Sequence, residues 1–464
     1  MSPAGLYHLY SGQDCPRLRR FVRVATEDAN LVRDYEMNSR VYMAVSVALL
    51  AVPEQLLAGG LMLYEIGTDN VGLANAGAAA RAQGPSTLAS NVAGMAWLSG
   101  TQITAGAQVL HGNLDFETDD GTNIAGGNSG NAMDWAPGGS LFVTRELGNG
   151  WSVGFASYGD FGLNLNYDND WSGRYFLQNG ELTGMTLMPA LAYRLDEQWA
   201  FGIGLRAFYA TLDSQMAVDN APFERLQRPD GQMKYRDHDW GYGANLGVIY
   251  EPRSGTRLGL SYTSEIDVEF EDGLDLQGVG PLTTQLLRDR GVLDASTRID
   301  MNVPQTLTFS LYHQLDEQWA LLASVNWQDW SRFGEVGVDL DSDTPRSATL
   351  EADYKDTWHL SVGTQYRFDP RWLWSAGVAY DSSSVDDDKR SLTVPMAENW
   401  RLGTGLTYAV DKQTDVNLSY ELVWLGDMSV SQEKSLPLND PKRVSGEFDN
   451  AWIQALSASA TWKF

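Results

Sequence analysis

Four histidines follow Ala58, at His111, His238, His313 and His359, and hydrolytic or metal chemistry would have to be built on them. A barrel-borne lipase or protease needs a nucleophile, a base and an orienting group within hydrogen-bond reach. His238 lies between Asp237 and Asp239, but no serine motif accompanies it, so it reads as a solvated loop residue. No two histidines have the helical spacing that would aim both at one metal ion. The only cysteine, Cys15, precedes the segment expected to be cleaved, which leaves no thiol for a disulfide or a metal site. No catalytic residue, metal or cofactor is therefore expected. Arginine offers a clearer chemistry. Arg206, Arg257 and Arg401 stand next to Leu205, Leu258 and Leu402, so on extended chain they point away from an apolar face. A guanidinium placed there pairs with a carboxylate, either a ligand's head group or an inward acid such as Glu421.

The elements that must position these groups are strands. Trp199, Phe201, Ile203, Leu205, Ala207 and Tyr209 recur at every second position, as do Trp240, Tyr242, Ala244, Leu246 and Val248, and Trp319, Leu321, Ala323, Val325 and Trp327. In water such faces need a second layer, whereas the outside of a closed barrel is covered by lipid and its lumen stays polar. The pattern predicts an all-β fold, a transmembrane antiparallel barrel. Helical spanning is excluded, because the longest apolar run, 41–52, falls short of the roughly 20 residues a helix needs to cross a bilayer. A mean hydropathy of -0.29 with 16 Trp, 20 Tyr and 46 Gly fits aromatic girdles around a lumen lined by small residues.

Strand candidates fall near 101–111, 139–147, 151–158, 182–195, 198–212, 239–251, 255–270, 300–315, 317–329, 354–368, 371–381, 397–410, 412–424 and 451–464. That is about fourteen, and even, as in bacterial single-chain barrels. Pro189, Pro304 and Pro395 are expected at strand starts or bulges, where a missing N–H does not break a ladder. Ahead of the strands, residues 59–100 are rich in Gly, Ala, Asn and Ser without a period of two, and are placed inside the lumen as a hatch. Arg40 and the apolar run before Ala58 read as a signal peptide over 37–58, with 1–36 as a misassigned or unstructured leader. The barrel itself occupies 101–464. A formal net charge of -27 argues against a nucleic-acid partner, since phosphate backbones bind basic surfaces.

The pattern Gly59-Gly60-Leu61-Met62-Leu63-Tyr64-Glu65 and then Val71-Gly72-Leu73-Ala74-Asn75-Ala76-Gly77 resembles the FadL-type family of long-chain fatty acid and hydrocarbon transporters. The family's Asn-Pro-Ala hallmark is matched by Asn91-Val92-Ala93, followed by Gly94, with valine where the family has proline. Further likeness runs through Asp160-Phe161-Gly162-Leu163, Val303-Pro304-Gln305-Thr306-Leu307 and Pro395-Met396-Ala397-Glu398-Asn399-Trp400-Arg401. The resemblance implies capture of a hydrophobic ligand from outside, binding near the hatch N-terminus, and release through a hatch shift and a gap beside a kinked third strand. Leu61 and Leu63 then occupy the positions at the apolar pocket, with Arg206, Arg257 and Arg401 as candidate anchors for a carboxylate. Gly159, Phe161 and Gly162, where the third strand loses its alternation, become the candidate lateral gate. The resemblance also implies a monomer in the Gram-negative outer membrane, surrounded by lipid, whose terminal Phe464 looks like the signal read by the barrel-insertion machinery. The competing readings are a general diffusion porin, which would need a wide unplugged lumen and typically has 16–18 strands, and, further off, a barrel hydrolase.

Overall fold

Alternating sequence makes alternating strands, and here they close on themselves. The computed structural model describes residues 62–133, 135–220, 229–289, 296–333, 335–341, 346–351, 354–434 and 441–464. The expected leader, the signal segment and Leu61 lie outside the described residues. The wall consists of β1 (Thr101–Asn113), β2 (Ala136–Gly148), β3 (Trp151–Asn166), β4 (Asn179–Arg194), β5 (Trp199–Val218), β6 (Gly231–Arg253) and β7 (Thr256–Thr263). It continues through β8 (Thr306–Gln314), β9 (Trp319–Gln328), β10 (Thr357–Asp369), β11 (Trp372–Asp381), β12 (Asn399–Ala409), β13 (Thr414–Lys434) and β14 (Lys442–Lys463). Each strand pairs antiparallel with the next, and β1 closes on β14 from Gln102↔Lys463 to Asn113↔Trp452. This is the expected barrel of fourteen strands with an N-terminal luminal hatch.

The outward face is the oily one: Leu205, Leu260, Leu402 and Leu418 are exposed on the bare protein, while Ala200, Phe208, Ser310 and Ser457 are buried inside. At the short-turn end, directly opposed aromatic pairs form a belt. Trp151 meets Tyr193 at 4.7 Å, Trp199 meets Tyr250 at 4.3 Å, Trp319 meets Tyr366 at 4.3 Å and Trp372 meets Tyr408 at 4.4 Å. A second belt includes Tyr209 against Trp240 at 4.9 Å and Tyr380 against Trp400 at 5.2 Å. Trp199 and Tyr209 are separated by ten residues of β5, about 33 Å of strand at ~3.3 Å per residue. At a tilt of ~40° that crosses about 25 Å, the height of an outer-membrane apolar band.

The hatch takes up the lumen in four short helical turns, Val71–Leu73, Ala78–Arg81, Thr87–Ser90 and Val92–Trp97. Its backbone lies so close to the wall that wall side chains must vanish at the contact. A Cβ on Gly247 would collide with the Asn91 amide, and one on Gly259 with the Ala79 carbonyl. Serine hydroxyls on the wall satisfy hatch N–H groups elsewhere: Gly77 N donates to Ser324 Oγ (2.8 Å) and Ala79 N to Ser310 Oγ (3.1 Å).

Three expectations need correction. The third strand does not end near Tyr158 but runs to Asn166, because a one-residue register shift between Gly159 and Phe161 lets pairing resume with β4. The candidates 255–270 and 300–315 are each two elements, for Ile266–Gly273 and Ser296–Val303 leave the barrel and pair in a separate four-stranded sheet at the long-loop end. Pro304 sits at that second break. Pro189, however, occupies mid-strand without a bulge. The β4–β5 ladder omits positions 188 and 189 and resumes at Ala190↔Gly204 in unchanged register, so the missing N–H costs ladder positions and no extra residue.

Candidate functional site

Between the hatch N-terminus and the long-loop end lies a cavity of about 570 Å³. Its floor is Met62 to Glu65 of the hatch, and Leu63 lines it. These four residues are tied to the wall by several contacts. Met62 bridges Phe161 in antiparallel fashion, and Leu63 N donates to the carbonyl of Asp160 (3.0 Å), the extra residue of the β3 bulge. The Tyr64 hydroxyl accepts from Asn326 Nδ2 (3.1 Å) and Gln328 Nε2 (2.8 Å), and its ring lies 4.4 Å from that of His359. Burial, with the nearby Asp381 charge, pushes the Tyr64 phenol well above its ordinary range. Glu65 forms an ion pair with Arg401.

The three arginines share an inward phase but not a location. Arg401 lines the cavity, with its guanidinium on Glu65, Asp381 and Glu421 (3.3 Å from the last) and 5.1 Å from the Tyr64 ring centroid. Asp381 also accepts from His359 Nδ1 (2.6 Å). Arg206 does not line the cavity: its Nη2 is bound to Asp160 Oδ2 (2.7 Å) and Thr186 Oγ1 (3.0 Å). Arg257 is remote as well, packed over the Tyr312 ring (4.8 Å) with Nη1 3.4 Å from the hatch carbonyl of Ala82. Strand phase chose the correct face for all three, and register and hatch path then separated them. Asp160, Asp381 and Glu65 went unassigned in the sequence reading. The signal that would have exposed two of them is an acid on the inward phase of its strand, since Asp160 and Asp381 share phase with buried Tyr158 and Ala379.

Beside the bulge the lining of the cavity takes in residues from both faces of the wall. Its lining includes luminal Phe161 and Gly184, but also Thr183, Met185, Tyr209 and Thr211, whose side chains are on the lipid-facing phase of β4 and β5. Gly159 and Gly162 line the cavity here as well. Phe161 faces inward, 6.1 Å from Phe208 and 6.3 Å from Trp330.

Below the cavity, Asn91 organises the hatch turn. It is fully buried; its Oδ1 accepts from Ala93 N (3.0 Å) and its amide hydrogens reach the carbonyls of Ala79 (2.7 Å), Val248 (3.1 Å) and Leu260 (3.4 Å). One side chain thus joins two hatch turns to β6 and β7. Val92 opens the helical turn and Ala93 and Gly94 continue it, all buried. Asn91 has φ -159° and ψ 105°, in the extended region toward which a following proline pushes a residue, so the turn keeps an extended entry with valine at 92. The hatch body is held by Arg81, which pairs with Asp69 (2.5 Å) and Asn70 (2.6 Å). Burial works to raise the Asp69 carboxyl, but the charge and hydrogen bond of Arg81, with Ser86, outweigh it and hold the group below its usual range. His238 is largely exposed beside Tyr209 and meets Asp237 only at 3.8 Å.

A model of the outer membrane protein transport protein family (OMPP1/FadL/TodX) matches residues 49–464. The chain belongs to this family. Among its relatives is the long-chain fatty acid transport protein of Escherichia coli O6:H1, 27% identical over 410 residues, spanning 81% of this chain and 90% of that one. Among solved structures, a Pseudomonas aeruginosa FadL homologue superposes with a TM-score of 0.77 at 19% identity, covering 88% of this chain and 100% of its own. The Ralstonia pickettii toluene transporter TbuX gives 0.58 at 16% identity, covering 88% and 99%. Members of the family are outer-membrane transporters, and the barrel described here is an outer-membrane protein.

Proposed function

We propose that this chain carries hydrophobic small molecules, of the long-chain fatty acid or hydrocarbon class, inward across the outer membrane, and that it is a carrier and not a hydrolase. The ligand binds in the cavity above the hatch, the hatch N-terminus shifts, and the ligand leaves sideways at the β3 bulge. The observation that carries this reading is the continuity of one cavity from Met62 and Leu63 on the hatch to Met185 on the lipid-facing phase of the wall. An oily ligand moving along it exchanges one apolar surface for another and never exposes itself to bulk water. The relatives that transport fatty acids and toluene point to the same chemistry. In the same reading the chain is exported by a signal over 37–58 and works as a monomer with the hatch at 59–100 and the barrel at 101–464. Phe464, exposed at the end of β14 with its N–H and carbonyl bonded to Thr101, is available to the insertion machinery.

Uptake of a radiolabelled hydrophobic compound by cells making the protein, against cells making none, tests the proposal. Liposome swelling with small sugars is the counter-experiment. Rapid sugar entry without hydrophobic uptake would replace the transporter by a porin.

A further inference from the structure

The charge around the cavity bears on what kind of hydrophobic molecule it accepts. Among the described lining residues the ionisable side chains with a formal charge are Glu65, Asp381 and Arg401, and no lysine or histidine lines it. Arg401 is the one cation lining it; its Nε donates to Asp381 and its Nη1 to Glu65 and Glu421, with the Tyr64 ring against its face. His359, which could offset this excess of acid, is 1% exposed and already bound to Asp381. The two other luminal arginines cannot help, since Arg206 is paired with Asp160 and Arg257 lies against the hatch carbonyl of Ala82. A carboxylate entering the cavity would therefore be a third negative charge, beside Glu65 and Asp381, around a single guanidinium. Burying such an excess of negative charge is strongly unfavourable. An uncharged molecule meets no such penalty: Leu63, Phe161, Leu163, Met396 and Leu425 offer apolar contact, and Ser382 a hydroxyl.

We propose that the cavity of this chain selects uncharged lipophiles, a hydrocarbon or its neutral alcohol, over fatty-acid carboxylates, because Glu65 and Asp381 already outweigh the charge of Arg401. This rests on the reading of the cavity as the site of the transported ligand. The gate that discriminates is the hatch itself, since Glu65 comes from it.

Equilibrium dialysis of the protein in lipid nanodiscs at pH 8, against nanodiscs without protein, tests this with 1-decanol and decanoate as the matched pair. The wild type is expected to retain decanol at least about tenfold more tightly than decanoate. Glu65→Gln and Asp381→Asn each release an edge of Arg401, and each should shift the decanoate-to-decanol ratio toward the acid by several-fold. Heat-modifiable migration on gels confirms that each variant retains its barrel, and two variants on different elements guard against one loosening the hatch. If the wild type binds decanoate as well as decanol, the selectivity is overturned while the transport reading stands. If the wild type discriminates but neither variant alters the ratio, Arg401 is not the cause and the proposal fails. If neither compound is retained above the bare nanodiscs, the transport reading fails with it.

Discussion

Asn91 shows how one side chain does the work that a longer motif suggests. Truncating it to alanine strands the Ala93 N–H and the Ala79 carbonyl in a dry interior, at about 1–3 kcal/mol for each unsatisfied group. The β6 and β7 ladders do not depend on it. Asn91→Ala should therefore leave barrel assembly intact while hydrogen exchange across residues 79–93 accelerates and uptake falls. Normal uptake at normal surface abundance would remove Asn91 from the site. Val92→Pro is the complementary test. The extended backbone at Asn91 already suits a following proline, and the first helical position has no need of its N–H. The substitution sacrifices the packing of a fully buried valine yet should be tolerated in folding, with slower exchange in the hatch turn.

At the scale of elements, the β3 bulge and the hatch make separate predictions. A Cβ on Gly159 meets nothing closer than the Gly184 carbonyl at 3.6 Å, whereas one on Gly162 comes within 2.8 Å of the Leu182 carbonyl. Gly159→Val should then fill the space beside the bulge with little strain and lower the rate of uptake, while a hydrophobic ligand still binds in the cavity. Gly162→Val must push β3 and β4 apart and should also lower the thermal stability of the barrel. If Gly159→Val transports at the parental rate, exit through the periplasmic end of the lumen becomes the better route. The hatch carries its own acid sensitivity. Because the folded pKa of Asp69 is depressed, its link to Arg81 contributes fully above the ordinary carboxylate value of about 4 and is lost as pH falls through the lower folded value. Exchange in residues 69–90, corrected for its intrinsic pH dependence, should be flat from pH 7 to 5 and rise only in stronger acid. A rise already near pH 6 would assign the hatch's pH response to another group.

For the whole molecule, barrel closure and pore closure are independent. The wall is sealed by the twelve residue pairs of the β1–β14 ladder, none of which involves the hatch. Removing residues 62–97 should thus yield a barrel that still migrates as a heat-modifiable species but conducts ions and admits small sugars in planar bilayers and liposomes. A hatchless protein that assembled and stayed closed would show that the segments at the long-loop end, and not the hatch, occlude the lumen.

Much of this was readable from local pattern. Alternation is a property of each strand alone, so the period of two located fourteen strands, assigned their outward faces and set the aromatic belts without knowledge of any partner. The helical turns of 71–97 were legible as hatch for the converse reason, since that stretch could not alternate. Strand phase even chose the inward face for Arg206, Arg257 and Arg401. What it could not supply was height along the barrel and the identity of the opposing atom, because those depend on register and on the path of the hatch through the lumen. Only the tertiary structure gave Arg206 to Asp160 and wedged Arg257 against Tyr312 and Ala82. It also brought Glu65 across 336 residues of sequence to Arg401. The bulge was likewise ambiguous in the sequence, since Tyr158 to Gly162 fits a strand end as well as a kink. The resumed pairing of Phe161 with Gly184 on β4 decides it. Local chemistry determined the wall, and long-range contact decided what the wall encloses.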